Sequence, residues 1–227
     1  GIIDNNGGAD IFLYQRSTGS ISLVSRSHNN LIATANSFSA PTSISSDGEW
    51  VLFQSYGTDI VHGVTDGNFA YDVFLFQRST GATSLVSRSA SNLTNVANSY
   101  STPTAITDDG EWTLFSSSAT DLVAGVSDSN GGNYDVFLYQ NSTGEVSLVS
   151  RSVSGNGATA NGTSFSTAIS ADGEWVLFKS NAIDLMSDVT DSNGSDDVFL
   201  YQRSSGEVSL VSHSAINSVT SANGSST

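Results

Sequence analysis

Residues 128–152 read DSNGGNYDVFLYQNSTGEVSLVSRS. An acidic, glycine-bearing loop runs into an apolar stretch, a polar turn and a second alternating stretch. That order describes a β-hairpin approached by a loop. Within it Val136 and Leu138 fall on one face and Phe137 and Tyr139 on the other, which predicts a strand buried on both sides. Ser-Thr-Gly closes the hairpin at 142–144, glycine supplying the positive φ of a tight turn. Versions of the same stretch begin at Asp4, Asp66 and Asp191.

The residues between the copies repeat as well. Trp50, Trp112 and Trp175 stand 62 and 63 residues apart, and Asp10, Asp72, Asp135 and Asp197 keep the same register. One unit, read from the second copy, opens with a polar loop at 91–103. A short strand ending in an Asp-Gly turn follows at 104–110, then a strand at 111–118, a linker, and the hairpin. β-Branched and aromatic residues at period two give four strands, A to D, and no convincing helix. So small a sheet cannot cover both its faces. Stacking copies face to face around an axis does so, which predicts an all-β fold, a β-propeller of about 62-residue four-stranded antiparallel blades. The divisions are a half blade at 1–28, blades at 29–90, 91–152 and 153–215, and the start of the next inter-blade loop at 216–227, all in one propeller domain or part of one. Three and a half blades fall short of the usual minimum of about four. The expectation is therefore a homo-oligomer completing a ring, or a fragment of a longer propeller.

Composition narrows the function. Seven Lys plus Arg against 22 Asp plus Glu give a net charge of −15, which opposes nucleic acid and anionic membrane surfaces. No apolar run approaches the ~18 residues of a membrane span, so no membrane insertion is expected. Cysteine is absent, which removes disulfides and thiolate metal sites. An acidic, cysteine-free chain rich in Ser, Thr, Asn and Gly fits a bacterial secreted, periplasmic or cell-surface protein.

SISSDGEWVLFQS (43–55), AITDDGEWTLFSS (105–117) and AISADGEWVLFKS (168–180) resemble the S-x-DG-x-x-[VL]-x-F signature of TolB-like, WD-like propeller repeats. DVFLYQ and SLVSRS resemble the second half of the same blade. The resemblance covers nearly the whole chain and implies a fold; propellers of this kind serve as periplasmic scaffolds, peptidase gates and surface modules.

The loop before strand C carries the most chemistry. Its versions are DNNGGAD (4–10), DGNFAYD (66–72), DSNGGNYD (128–135) and DSNGSDD (191–197). Oxygen ligands alternating through a tight turn can wrap Ca²⁺, which takes six to eight oxygens. The candidate calcium ligands are Asp4, Asn6 and Asp10; Asp66, Asn68 and Asp72; Asp128, Asn130 and Asp135; and Asp191, Asn193 and Asp197, with Asp59, Asp121 and Asp184 as helpers. The pattern starts like an EF-hand loop but lacks its distal glutamate. The same residues also satisfy an Asx-turn with no ion.

Other repeated residues read more plainly. Asp47, Asp109 and Asp172 belong to A–B turns. The tryptophans read as inter-blade packing, or as stacking platforms for sugars. Arg26, Arg88 and Arg151, and Arg16, Arg78 and Arg203, are expected to pair with the repeated aspartates. His28 and His62 fall in loops, and His213 stands in an arginine position. With no singular catalytic constellation legible, the chain reads as a non-catalytic module binding glycan or protein through its long loops. The alternative is a propeller-fold hydrolase or lyase acting on polysaccharide at a central channel.

Overall fold

The computed structural model describes residues 1–153, 157–191 and 193–226. Residues 154–156 of one polar loop, 192 of one acidic loop and 227 of the tail lie outside the described residues. The chain runs β1 (Phe12–Gln15), β2 (Ser20–Leu23), β3 (Arg26–Ser27), β4 (Asn30–Thr34), β5 (Ser39–Ile44), β6 (Trp50–Ser55), β7 (Asp72–Gln77) and β8 (Thr83–Leu85). It continues through β9 (Ser101–Ile106), β10 (Trp112–Ser117), β11 (Asp135–Gln140), β12 (Glu145–Leu148), β13 (Ser164–Ile169) and β14 (Trp175–Ser180). Last come β15 (Asp197–Gln202), β16 (Glu207–Leu210), β17 (His213–Ser214) and β18 (Asn217–Ser221). There is no helix among the described residues, and so none long and apolar enough to cross a membrane.

Three four-stranded antiparallel meanders, β5 to β8, β9 to β12 and β13 to β16, repeat one topology. Their registers coincide: Trp50 faces Gln77, Trp112 faces Gln140 and Trp175 faces Gln202. β1 and β2 form the C–D hairpin of a further blade. The blades expected from the repeat are therefore present, as an all-β propeller arc.

The first strand of each blade corrects the sequence reading. It begins within the polar loop, at Ser39, Ser101 and Ser164, and takes in Pro41 and Pro103. Each A strand carries a bulge against its partner, at Pro41/Ser43, Pro103/Ala105 and Ser166/Ala168. An edge strand with a bulge tolerates a residue that has no N–H to donate. The ribbons β3–β4 and β17–β18 inside the D-to-A connectors were also unexpected; their short sequences, RS with NLIAT and HS with NSVTS, carry no period-two signal.

The core lies between blades. Val73 and Leu75 pack with Phe115, Phe137 and Tyr139 of the next blade, and Val136 and Leu138 pack with Phe178, Phe199 and Tyr201 of the one after. The two faces of strand C thus serve two interfaces, as its apolar alternation required. Phe53–Phe74, Phe115–Phe137 and Phe178–Phe199 stack within their blades at 5.4, 5.6 and 5.5 Å between ring centroids. Strands β5, β9 and β13 neighbour one another across blades. There Ser166 Oγ meets Thr104 Oγ1 at 2.5 Å and Ser116 Oγ at 2.7 Å.

Candidate functional site

The acidic loop is built as a clasp with the same parts in every copy. The first aspartate turns its carboxylate back on the chain: Asp128 Oδ1 accepts from the Asn130 and Gly131 amides at 2.9 and 3.1 Å, and Oδ2 from Gly132 at 2.6 Å. Asp4, Asp66 and Asp191 accept from Asn6, Asn68 and Asn193 in the same way. The asparagine reaches across to the connector that leaves strand D. Asn6 Nδ2 donates to Ala35 O, Asn68 Nδ2 to Ala97 O at 2.7 Å, Asn130 Nδ2 to Gly162 O at 3.1 Å and Asn193 Nδ2 to Ala222 O. Its Oδ1 accepts a backbone amide of its own loop, as from Ala70 at 2.8 Å and Asn133 at 3.0 Å.

The second aspartate stands at the head of strand C, as its first residue in β7, β11 and β15 and two residues before β1, and meets a serine fifteen residues on. Ser25, Ser87, Ser150 and Ser212 donate to Asp10, Asp72, Asp135 and Asp197 at 3.2, 3.0, 2.9 and 2.9 Å. Each serine oxygen also accepts the amide of the residue after that aspartate, at 2.9 Å in all four copies. Sequence reasoning missed these serines, although the first Ser of each SRS or SHS stands at a constant offset from Asp. In a serine-rich chain that constancy is the only signal.

Electrostatically each clasp is strained. Burial pushes the Asp72 carboxyl up to about 8 and Asp135 up to about 7, with the nearby Asp66 and Asp128 carboxylates raising them further. Asp10 and Asp197 are raised mainly by burial too, with Asp4 and Asp191 adding repulsion. The structure therefore brings the two predicted carboxylates of every loop into repulsive range. It does not gather three acidic or imidazole ligands at any point among the described residues. Asp59, Asp121 and Asp184 belong to a second clasp, accepting from the Asn36, Asn98 and Asn161 amides at 2.8, 2.9 and 2.9 Å.

The arginines correct another expectation. Arg78 and Arg203 pair with Glu49 and Glu174 at 3.2 and 3.3 Å and donate to Gly48 O and Gly173 O, not to the repeated aspartates. The end of strand C lies beside the start of strand B, where glutamate follows the Asp-Gly turn. Arg26 and Arg88 hold the carbonyls of Gly81 and Gly144 in the next blade. The turn aspartates Asp47, Asp109 and Asp172 accept from their own loop, at Ser45, Thr107 and Ser170.

Two equivalent grooves lie at the blade rims, of 480 and 520 Å³. Arg151, Trp175, Gln202 and Glu207 line the first; Arg88, Trp112, Gln140 and Glu145 line the second. Trp50 and Trp112 also pack on the inter-blade cores, and Arg203 covers the Trp112 ring at 4.3 Å, whereas Trp175 is 40% exposed. Glu207 and Glu145 thus each join an aromatic, a guanidinium and an amide in one trough.

No family model and no curated protein matches the chain. Among solved structures it is similar to TolB from Acinetobacter baumannii, with 18% identity and a TM-score of 0.43 over 89% of this chain and 37% of that one. It is similar to a TolB candidate from Agrobacterium tumefaciens, with 18% identity and a TM-score of 0.47 over 90% of this chain and 56% of that one. An oligogalacturonate lyase from Vibrio parahaemolyticus matches at 9% identity and a TM-score of 0.45, over 89% of this chain and 46% of that one. The chain thus spans only part of each of these proteins. Its own stacked meanders, repeating one topology in every complete copy, make it an arc of four-stranded β-propeller blades.

Proposed function

We propose that the chain is a non-catalytic binding module, exported to the periplasm, the cell surface or beyond, whose acidic loops take calcium and whose rim grooves and polar loops hold glycan or protein. The observation that carries the reading is recurrence. Each carboxylate pair and each described groove has an equivalent in another blade, whereas catalysis needs a singular constellation. A row of like sites suits multivalent attachment, in which weak contacts add.

Calcium would relieve the repulsion between the paired carboxylates and favour their charged forms. Binding would require the asparagine to turn Oδ1 toward the ion, giving up its bond to the connector carbonyl. That cost predicts weak sites, in the range of about 10⁻⁴–10⁻³ M found in extracellular modules. In the grooves, the indole of Trp175 offers a face for a sugar ring, with Arg151, Gln202 and Glu207 as polar partners.

Calorimetric titration with calcium tests the first part: heat of binding at millimolar calcium, and a rise in melting temperature reversed by EDTA, are expected. No response at millimolar calcium rejects it. A glycan array run beside a panel of chromogenic polysaccharide substrates tests the second. Array binding lost in Trp175→Ala, without turnover, is expected. Turnover abolished by a single carboxylate substitution would instead identify a hydrolase or lyase.

A further inference from the structure

His28 and His62 are far apart in sequence and come together in the fold, their rings meeting edge-on with centroids 5.4 Å apart. Their places in the repeat are specific. His28 corresponds to Ala90 and Val153, and His62 to Ala124 and Ser187. All four of those residues line the rim grooves of the later blades. The backbone confirms the equivalence: the His28 amide bonds Asp59 O at 2.8 Å, Ala90 bonds Asp121 O at 2.8 Å, and Val153 bonds Asp184 O at 2.9 Å. Small or aliphatic residues thus suffice for folding at both positions, and only the first blade carries imidazoles there.

The chemistry of the pair is defined by one hydrogen bond. His28 Nδ1 lies 2.8 Å from the carbonyl oxygen of Asp59. A carbonyl can only accept, so Nδ1 carries the proton and Nε2 keeps a free lone pair. A metal-ligating histidine is held in this way, its second nitrogen donating to a backbone carbonyl that fixes tautomer and ring orientation. Two imidazoles on one tetrahedral zinc, with Zn–N of about 2.0–2.1 Å, place their ring centres about 5 Å apart, close to the separation seen here. His28 is half-buried and His62 exposed, which leaves solvent access for the remaining coordination positions. Arg26, which corresponds to the groove arginines Arg88 and Arg151, is engaged with Gly81 O and lies over the Phe76 ring.

We propose that His28 and His62 form a two-imidazole site for a borderline divalent transition metal, zinc being the probe of choice, with water completing the shell. Imidazole suits zinc, copper and nickel and discriminates against calcium, so the site is independent of the acidic loops and of the calcium reading.

The test is isothermal titration of the full chain with zinc chloride in excess calcium. One zinc per chain is expected. Substituting His28→Ala or His62→Ala, which gives the first blade the residues of the second, should weaken binding by at least about tenfold. His213→Ala should leave it unchanged. Grafting Ala90→His with Ala124→His onto the doubly substituted chain should restore one site in the second blade. Absence of binding by the parent chain at millimolar zinc overturns the proposal. So does parent-like binding by the His28→Ala, His62→Ala chain, or failure of the graft. Because both alanines already occur at these positions in the next blade, lost binding reports lost ligands, which an unchanged melting temperature in EDTA verifies.

Discussion

Asp72 and Asp135 show how one residue sets a condition for the whole fold. Both are buried at the head of strand C, and their carboxyls are pushed up to about 8 and about 7 from an ordinary 3.8. A carboxyl raised on folding holds its proton in the folded state while the unfolded chain releases it. Stability is then fully present below about pH 4 for this group and falls as pH rises toward 8. The turn carboxylates Asp47, Asp109 and Asp172 are lowered by hydrogen bonds and act in the opposite sense at acid pH. Without calcium the melting temperature is therefore expected to peak at mildly acid pH and to decline through neutrality. Asp72→Asn should flatten that decline; a melting profile with an unchanged slope would count against the raised value. Each aspartate pair was legible in the sequence because it recurs. Its burial was not, because burial depends on the connector that covers it.

At the scale of the element, the clasp and the A–B turn hold each blade in register. Ser87 satisfies the amide of Val73 and donates to Asp72. Ser87→Ala leaves that buried amide unpaired and should cost about 1–3 kcal/mol, seen in chemical denaturation as a lower midpoint at constant slope. The Asp-Gly turn has a second role that turn chemistry alone does not reveal. Gly110 and Gly173 adopt φ of 74° and 70°, and a Cβ at either would run into the indole of Trp50 or Trp112 from the preceding blade. Gly48 has a similar φ of 68°, but its nearest neighbour is an Ile44 methyl at 3.9 Å. Gly48→Ala should therefore cost only about 1 kcal/mol of backbone strain. Gly110→Ala adds displacement of the tryptophan, an overpacking cost of about 1–3 kcal/mol more. Parallel melts of the two variants check the difference; equal losses would mean that the tryptophan is not seated on the turn. The strands themselves were readable from period-two alternation. The A strands were misplaced because serine, threonine and proline at a bulged edge look like loop.

For the whole molecule, the packing rule is that each sheet is covered by its neighbours. Phe12 and Tyr14 of β1 are 50% and 60% exposed, while their equivalents Phe74, Phe137, Phe199, Phe76, Tyr139 and Tyr201 are each at most 5% exposed. Among the described residues β1 pairs only with β2, so its other edge offers backbone groups for pairing as well. We propose that further blades, from a second copy or from a longer chain, complete this arc. Light scattering on the 227-residue chain is expected to give a mass above 23.6 kDa, with Phe12→Ser plus Tyr14→Ser returning it to that of one chain. A parent chain that runs as a single copy rules out the shared ring.

The chain's own repeat specified the blade: its length, its four strands, the two-faced strand C and the carboxylates that recur at one corner. These are local patterns, and an exact repeat prints each of them several times over. Stacking of the sheets settled which repeated residues meet. It gave the asparagines to the connector carbonyls, the arginines to Glu49 and Glu174, and the tryptophans to the next blade's glycines. It also brought His28 against His62. Those contacts join residues some 30 to 60 positions apart, at distances fixed by how sheets stack, and stacking geometry leaves no period of its own along the chain.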